Sequence, residues 1–137
     1  MSLEPKGLGH IAIAVASLKD AIPFYRDVLG FNFLGVDEVP AEGMRTAFLE
    51  AAGVTLEVME STNPEGPVGR FVAKKGPGVH HLTFRVDDIN QAVNFCRAKG
   101  IRLIEPAPRE GAHGARVAFL HPQSTGGILI ELQQPSI

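Results

Sequence analysis

An α+β fold built from two tandem β-α-β-β-β modules is what this 137-residue sequence predicts, and three observations carry the prediction. The first is an internal repeat. Gly9-His10-Ile11-Ala12-Ile13-Ala14-Val15 returns as His80-His81-Leu82-Thr83-Phe84-Arg85-Val86, and the correspondence runs on through Leu18 and Ile89, Ala21 and Ala92, and Phe24 and Phe95. The second is a later echo: each copy reaches an apolar strand with one acid inside it, Leu56-Glu57-Val58 and Ile130-Glu131-Leu132. The third is size. A half of about 65–70 residues buries little apolar surface alone, so the two copies are expected to share a single domain. Two four-stranded sheets of this kind can curl into one eight-stranded cup with the helices outside.

The elements follow in order. Module one, about 7–60, opens with an alternating strand at 8–15. Ser17 can cap a helix from about Leu18 to Leu29 that offers Ile22, Phe24, Tyr25, Val28 and Leu29 for burial and stops at Gly30. Pro23 interrupts this span and moves the true start of the helix toward itself. Strands are expected near 31–39, 44–51 and 54–59, separated by Pro40-Ala41-Glu42-Gly43 and by Gly53. The linker, 61–77, holds the loop Ser61–Pro67 and a short helix at 68–75. Module two, about 78–134, repeats the pattern: a strand at 78–86, a helix capped by Asp87 or Asp88 and closed at Gly100, then strands near 101–105, 115–121 and 127–133.

Composition excludes several classes. The net charge is −2 and the basic residues are scattered, which argues against a nucleic-acid partner. No apolar run spans a bilayer and no signal peptide is evident, so a cytoplasmic protein without a membrane partner is expected. The single Cys96 rules out an internal disulfide framework and suits a small apolar filler in a helix.

Strand parity locates the chemistry. Side chains alternate between faces. Ile11, Ile13 and Val15 therefore oppose His10, Ala12 and Ala14, while Leu82, Phe84 and Val86 oppose His81, Thr83 and Arg85. On the acid strands Leu56 and Val58 oppose Glu57, and Ile130 and Leu132 oppose Glu131. In all four strands the branched and aromatic residues share one face and the His or Glu takes the other. The bulky face belongs under helices, so His10, Glu57, His81 and Glu131 are expected to converge in the concavity by pseudo-twofold symmetry. Burying two carboxylates side by side is costly without a cation. Two imidazoles and two carboxylates around a divalent ion balance charge, although this ligand set does not choose among Co²⁺, Ni²⁺, Mn²⁺, Zn²⁺ and Fe²⁺. Octahedral coordination would leave two positions open, enough to chelate two substrate oxygens and stabilise an enolate. Proton abstraction beside a carbonyl is thus favoured over hydrolysis, and neither a phosphate-cradling GxxxxGK run nor a CxxC is present.

These residues carry a family resemblance. The doubled unit with its His/Glu pattern resembles the vicinal oxygen chelate (glyoxalase-type) superfamily across essentially the whole chain. Three segments resemble the methylmalonyl-CoA epimerases more narrowly. They are Gly9–Ile13, Val79–Ile89, and Gly111-Ala112-His113-Gly114 continuing to Phe119-Leu120-His121-Pro122 and Gly126–Leu132. The resemblance implies an isomerase acting at C2 of methylmalonyl-CoA, an acyl-CoA substrate, a divalent metal (Co, Ni, Mn or Zn) at His10, Glu57, His81 and Glu131, and a homodimer. It also implies Glu131 as ligand and catalytic base, and leaves the second base open. Some relatives carry an extra acid on the third strand, whereas Met44-Arg45-Thr46-Ala47-Phe48-Leu49-Glu50 has none at its centre, and Glu50 is the alternative. His113 is expected to bind the substrate carboxylate, His80 to pack, His121 to play a structural part, and Arg70, Lys74 and Lys75 to lie on a solvated helix face. The competing readings are a glyoxalase I (lactoylglutathione lyase) and a metal-free small-molecule-binding protein on the same scaffold.

Overall fold

A computed structural model describes residues 2–136. The fold is α+β, and each half runs β-α-β-β-β as the repeat requires. Module one contains β1 (Leu8–Val15), α1 (Leu18–Pro23), β2 (Asn32–Val39), β3 (Met44–Ala51) and β4 (Val54–Ser61). A connecting helix α2 (Pro67–Lys75) leads to module two: β5 (Gly78–Arg85), α3 (Ile89–Ala98), β6 (Arg109–Glu110), β7 (Arg116–Leu120), a single-turn α4 (Pro122–Thr125) and β8 (Ile130–Gln134). The strands of module one lie in the order β2-β3-β4-β1 and those of module two in the order β5-β8-β7-β6. The described residues divide into two compact units, the first 10–80 and the second 2–9 with 81–136.

In the first unit, β1 and β4 are parallel, with Ala12 opposite Glu57 and Ile13 opposite Val58. The branched face of β1 packs as its parity demands: Ile11, Ile13 and Val15 meet Leu18, Ala47, Leu49, Leu56 and Val58, together with Ala21, Ile22 and Tyr25 of the helical segment. The other face is not left open along its whole length. Ala12, Ala14 and Met59 are covered by Val68, Phe71 and Val72 of α2. The two alanines explain this. Two small side chains leave room for a helix on a sheet face that already carries Met59.

The helix expected over Leu18–Leu29 is instead two pieces. Ser17 caps α1 as anticipated, its hydroxyl accepting from the Asp20 amide, and the Leu18 amide donates to Glu60. Pro23 has no amide to continue the ladder and crowds the preceding turn. From Phe24 to Val28 the chain widens into a π-helical turn, closed by the Leu29 amide donating to the Phe24 carbonyl. This shift rotates the later side chains off the core: Ile22 and Tyr25 stay packed, but Phe24, Val28 and Leu29 are at least half exposed. Phe33, Leu34 and Val36 of β2 are exposed as well.

In the second unit, α3 begins at Asp88, whose carboxylate accepts from the Gln91 amide, while Gln134 accepts from the Ile89 amide. Two amides that the helix cannot satisfy itself are thereby bonded. Its Ile89, Ala92, Val93 and Cys96 pack on Val86, Ala118, Leu120 and Leu132. The strand expected at 101–105 is reduced to a single bridge between Leu103 and Leu120. Pro106 and Pro108 follow directly and cannot donate to a ladder, so the edge strand re-forms only at Arg109–Glu110, opposite Val117 and Arg116. The strand expected from 127 starts at Ile130, because α4 and the positive-φ pair Gly126 and Gly127 occupy the approach.

Candidate metal centre

Each unit carries one His/Glu pair, and the two pairs are built in the same way. In the first, His10 lies two residues before Ala12, and Ala12 faces Glu57 across parallel strands. In the second, His81 lies two residues before Thr83, and Thr83 faces Glu131 across parallel strands. Parallel pairing sets side chains of opposed residues on the same face, so a His two positions earlier on one strand reaches an acid on its neighbour. His10 Nδ1 stands 3.0 Å from a Glu57 carboxylate oxygen. His81 Nε2 stands 3.5 Å from a Glu131 oxygen. His10 is buried in the first unit, and His81 and Glu131 are buried in the second. Glu57 is less deeply buried, and it pairs with His10 of its own unit.

The donor chemistry of each pair fits a metal: imidazole nitrogen and carboxylate oxygen are the donor set that first-row divalent ions accept.

Sequence parity did not reveal the residue that holds Glu131. The fully buried Thr83 donates its hydroxyl to a Glu131 carboxylate oxygen at 2.6 Å, orienting the acid as outer-shell partners of metal ligands do. The corresponding position of the first unit is Ala12, which has no hydroxyl, so the two acids are held differently. The signal was present in the repeat, where Thr83 aligns with Ala12, but its meaning depends on strand register. Phe119, opposite Glu131 on β7, sets its ring edge-on to His81 with centroids 5.2 Å apart, and the Arg109 guanidinium lies 5.6 Å from the centre of the same ring. Gly9 is required by close approach: a Cβ there would lie 2.7 Å from the Gln133 side-chain oxygen and 2.9 Å from the Thr83 methyl.

The remaining residues singled out in the sequence sort by environment. His113 lies exposed in the Gly111–Gly114 loop at φ 56°, a left-handed conformation rare for a side-chain-bearing residue, and its carbonyl accepts from Ser136. Glu50 shares the Glu57 face of β3 but is exposed, opposite Asn32 and Thr55. His80 packs at a tilt against Phe71, with ring centroids 4.9 Å apart, in line with the packing expectation. His121 caps α4, its Nδ1 accepting from the Gln123 amide. The Lys75 ammonium lies over Phe71. Cys96 is buried in the α3 core, and that burial pushes its thiol above the ordinary range, which keeps it protonated and unreactive.

Residues 9–119 match the Glyoxalase/Bleomycin resistance protein/Dioxygenase superfamily, and the chain belongs to that superfamily. Its relatives are more particular. The mitochondrial methylmalonyl-CoA epimerase of Mus musculus is 38% identical over 93% of this chain and 72% of its own length. Among solved structures, the methylmalonyl-CoA epimerase from Mycobacterium tuberculosis matches with a TM-score of 0.92 at 34% identity, over 100% of this chain and 92% of that one. A variant of the Streptomyces coelicolor methylmalonyl-CoA epimerase, in complex with 2-nitronate-propionyl-CoA, matches with a TM-score of 0.89 at 32% identity, over 98% of this chain and 100% of that one. No helix among the described residues is long and apolar enough to cross a membrane.

Proposed function

We propose that this protein is an isomerase that inverts C2 of methylmalonyl-CoA through an enolate, with a divalent metal held by His10, Glu57, His81 and Glu131. The observation that carries the reading is the recurrence of one His/Glu pair in one register in both units. Likeness to epimerases, one of them in complex with an acyl-CoA analogue, supports the substrate class. A bound divalent ion supplies Lewis-acid stabilisation of the charge that develops on a carbonyl oxygen when the adjacent C–H is deprotonated. The chain does the rest. Glu131 is both ligand and base, and Thr83 holds its carboxylate at a fixed angle so that one oxygen stays committed to the hydroxyl. His113, presented by a strained loop, binds the substrate carboxylate. Glu50 is the acid on the Glu57 face available as the second proton carrier.

The reading extends to a cytoplasmic homodimer, in keeping with the exposed apolar side chains Phe24, Val28, Leu29, Phe33, Leu34 and Val36. The test of function is proton–deuterium exchange at C2 of methylmalonyl-CoA, with and without a chelator. Exchange should be rapid in the metal-loaded protein and abolished both by the chelator and by His81→Ala. Undiminished exchange in either would discredit the metal-dependent mechanism, and no exchange under any condition would favour a lyase or a binding protein.

A further inference from the structure

Among the buried side chains described, one polar atom has no hydrogen-bond partner: the hydroxyl oxygen of Thr46. The residue is 1% exposed. A hydroxyl withdrawn from water without a partner destabilises the fold, and valine would fill the same space without that penalty. Thr83 is equally buried and shows the usual outcome, its hydroxyl being bonded to Glu131.

Register says which way the unpaired hydroxyl belongs. On β3 and β4, Thr46 is opposite Met59 and Phe48 is opposite Glu57. Alternation then puts Thr46, Phe48, Glu57 and Met59 on one face, and Ala47 and Leu49 on the other, in the core beneath α1. Thr46 is thus two residue pairs along the ladder, the next position on the same face, from the acid that stands 3.0 Å from His10.

We infer that Thr46 is a ligand-contact residue, its buried hydroxyl kept unpaired to hydrogen-bond an oxygen that arrives with the substrate. That oxygen belongs either to the acyl thioester itself or to a water bound beside it. The inference rests on the epimerase reading for the identity of the substrate, and on the orphaned hydroxyl and its register for the rest.

The experiment compares Thr46→Val with the wild type and with Thr46→Ser. In the metal-loaded protein without substrate, Thr46→Val should melt at the same temperature or a few degrees higher, because it removes an unpaired buried hydroxyl. A lower melting temperature would mean that the hydroxyl serves the fold, and overturns the inference. Methylmalonyl-CoA should raise the melting temperature of the wild type and of Thr46→Ser, and raise that of Thr46→Val by less than half as much. Equal increments in all three overturn it. Exchange kinetics at C2 then separate the two sources. Contact with the thioester raises KM about tenfold with kcat kept, and a bound water that carries a proton lowers kcat about tenfold with KM kept. A Thr46→Val protein with both constants unchanged overturns both versions. If the wild type binds methylmalonyl-CoA without exchanging its proton, the epimerase reading falls and the melting comparison alone decides the role of Thr46. If methylmalonyl-CoA leaves the wild-type melting temperature unmoved, both fall.

Discussion

Thr83 and Ala12 occupy the same place in the repeat, and the difference between them separates the two acids. Glu131 takes a 2.6 Å hydrogen bond from Thr83, while the Ala12 methyl opposite Glu57 offers none. A ligand whose outer partner is removed loses orientation before it loses chemistry. Thr83→Val should therefore weaken metal affinity by about 10–100-fold while leaving the ligands intact, and Thr83→Ser should restore most of it. Titration of the metal-free protein with Co²⁺ or Zn²⁺, followed by calorimetry, would check this; equal affinity in Thr83→Val would remove Thr83 from the site. At this scale the sequence was readable where local period sufficed. His10, His81, Glu57 and Glu131 could be assigned to a face because strand period and duplication agree. The Thr83–Glu131 bond was not readable, since it joins residues that only the pairing of β5 with β8 brings together.

The elements that formed as expected are those whose ends are chemically marked. Asp88 accepts from the Gln91 amide at the start of α3, and Asp88→Ala should reduce stability by about 1 kcal/mol. Denaturant unfolding should show it as a lower midpoint with an unchanged slope. Where the sequence misled, tertiary constraints overrode local pattern. Ile101, Leu103 and Ile104 have the composition of a strand, yet the prolines at 106 and 108 leave the edge without donors and only the Leu103 bridge survives. In the first helix the periodicity was sound up to Pro23. Beyond it the π turn changes the angular step, so Val28 and Leu29 miss the core that a regular helix would have brought them to.

Across the whole molecule, duplication explains both the resemblance of the halves and their differences. Each module reaches the β-α-β-β-β order, but the first leaves apolar side chains exposed on its π turn and β2, whereas Ile89, Ala92, Val93 and Cys96 of α3 are buried. If those exposed residues lie between two copies of the chain, the double substitution Val28→Asp and Leu29→Lys should yield a monomer at micromolar concentration. Sedimentation equilibrium would decide. A monomeric wild type, or a variant that remains dimeric, would exclude this surface as the interface. Overall fold class and the strand face that carries each His and Glu were legible because a repeated pattern supplies two independent readings of the same module. The covering of the Ala12–Ala14 face by α2 was not, since nothing in an amphipathic connecting segment says on which sheet it will settle.

Gly9 shows that the two copies have ceased to be interchangeable. Its counterpart in the repeat is His80, which rests on Phe71, whereas at position 9 even a methyl group would press on Gln133 and on the threonine that steadies Glu131. A gene conversion that rewrote the first copy from the second would drive an imidazole into that contact. Position 9 is thus closed to larger side chains by the same threonine whose hydroxyl holds Glu131.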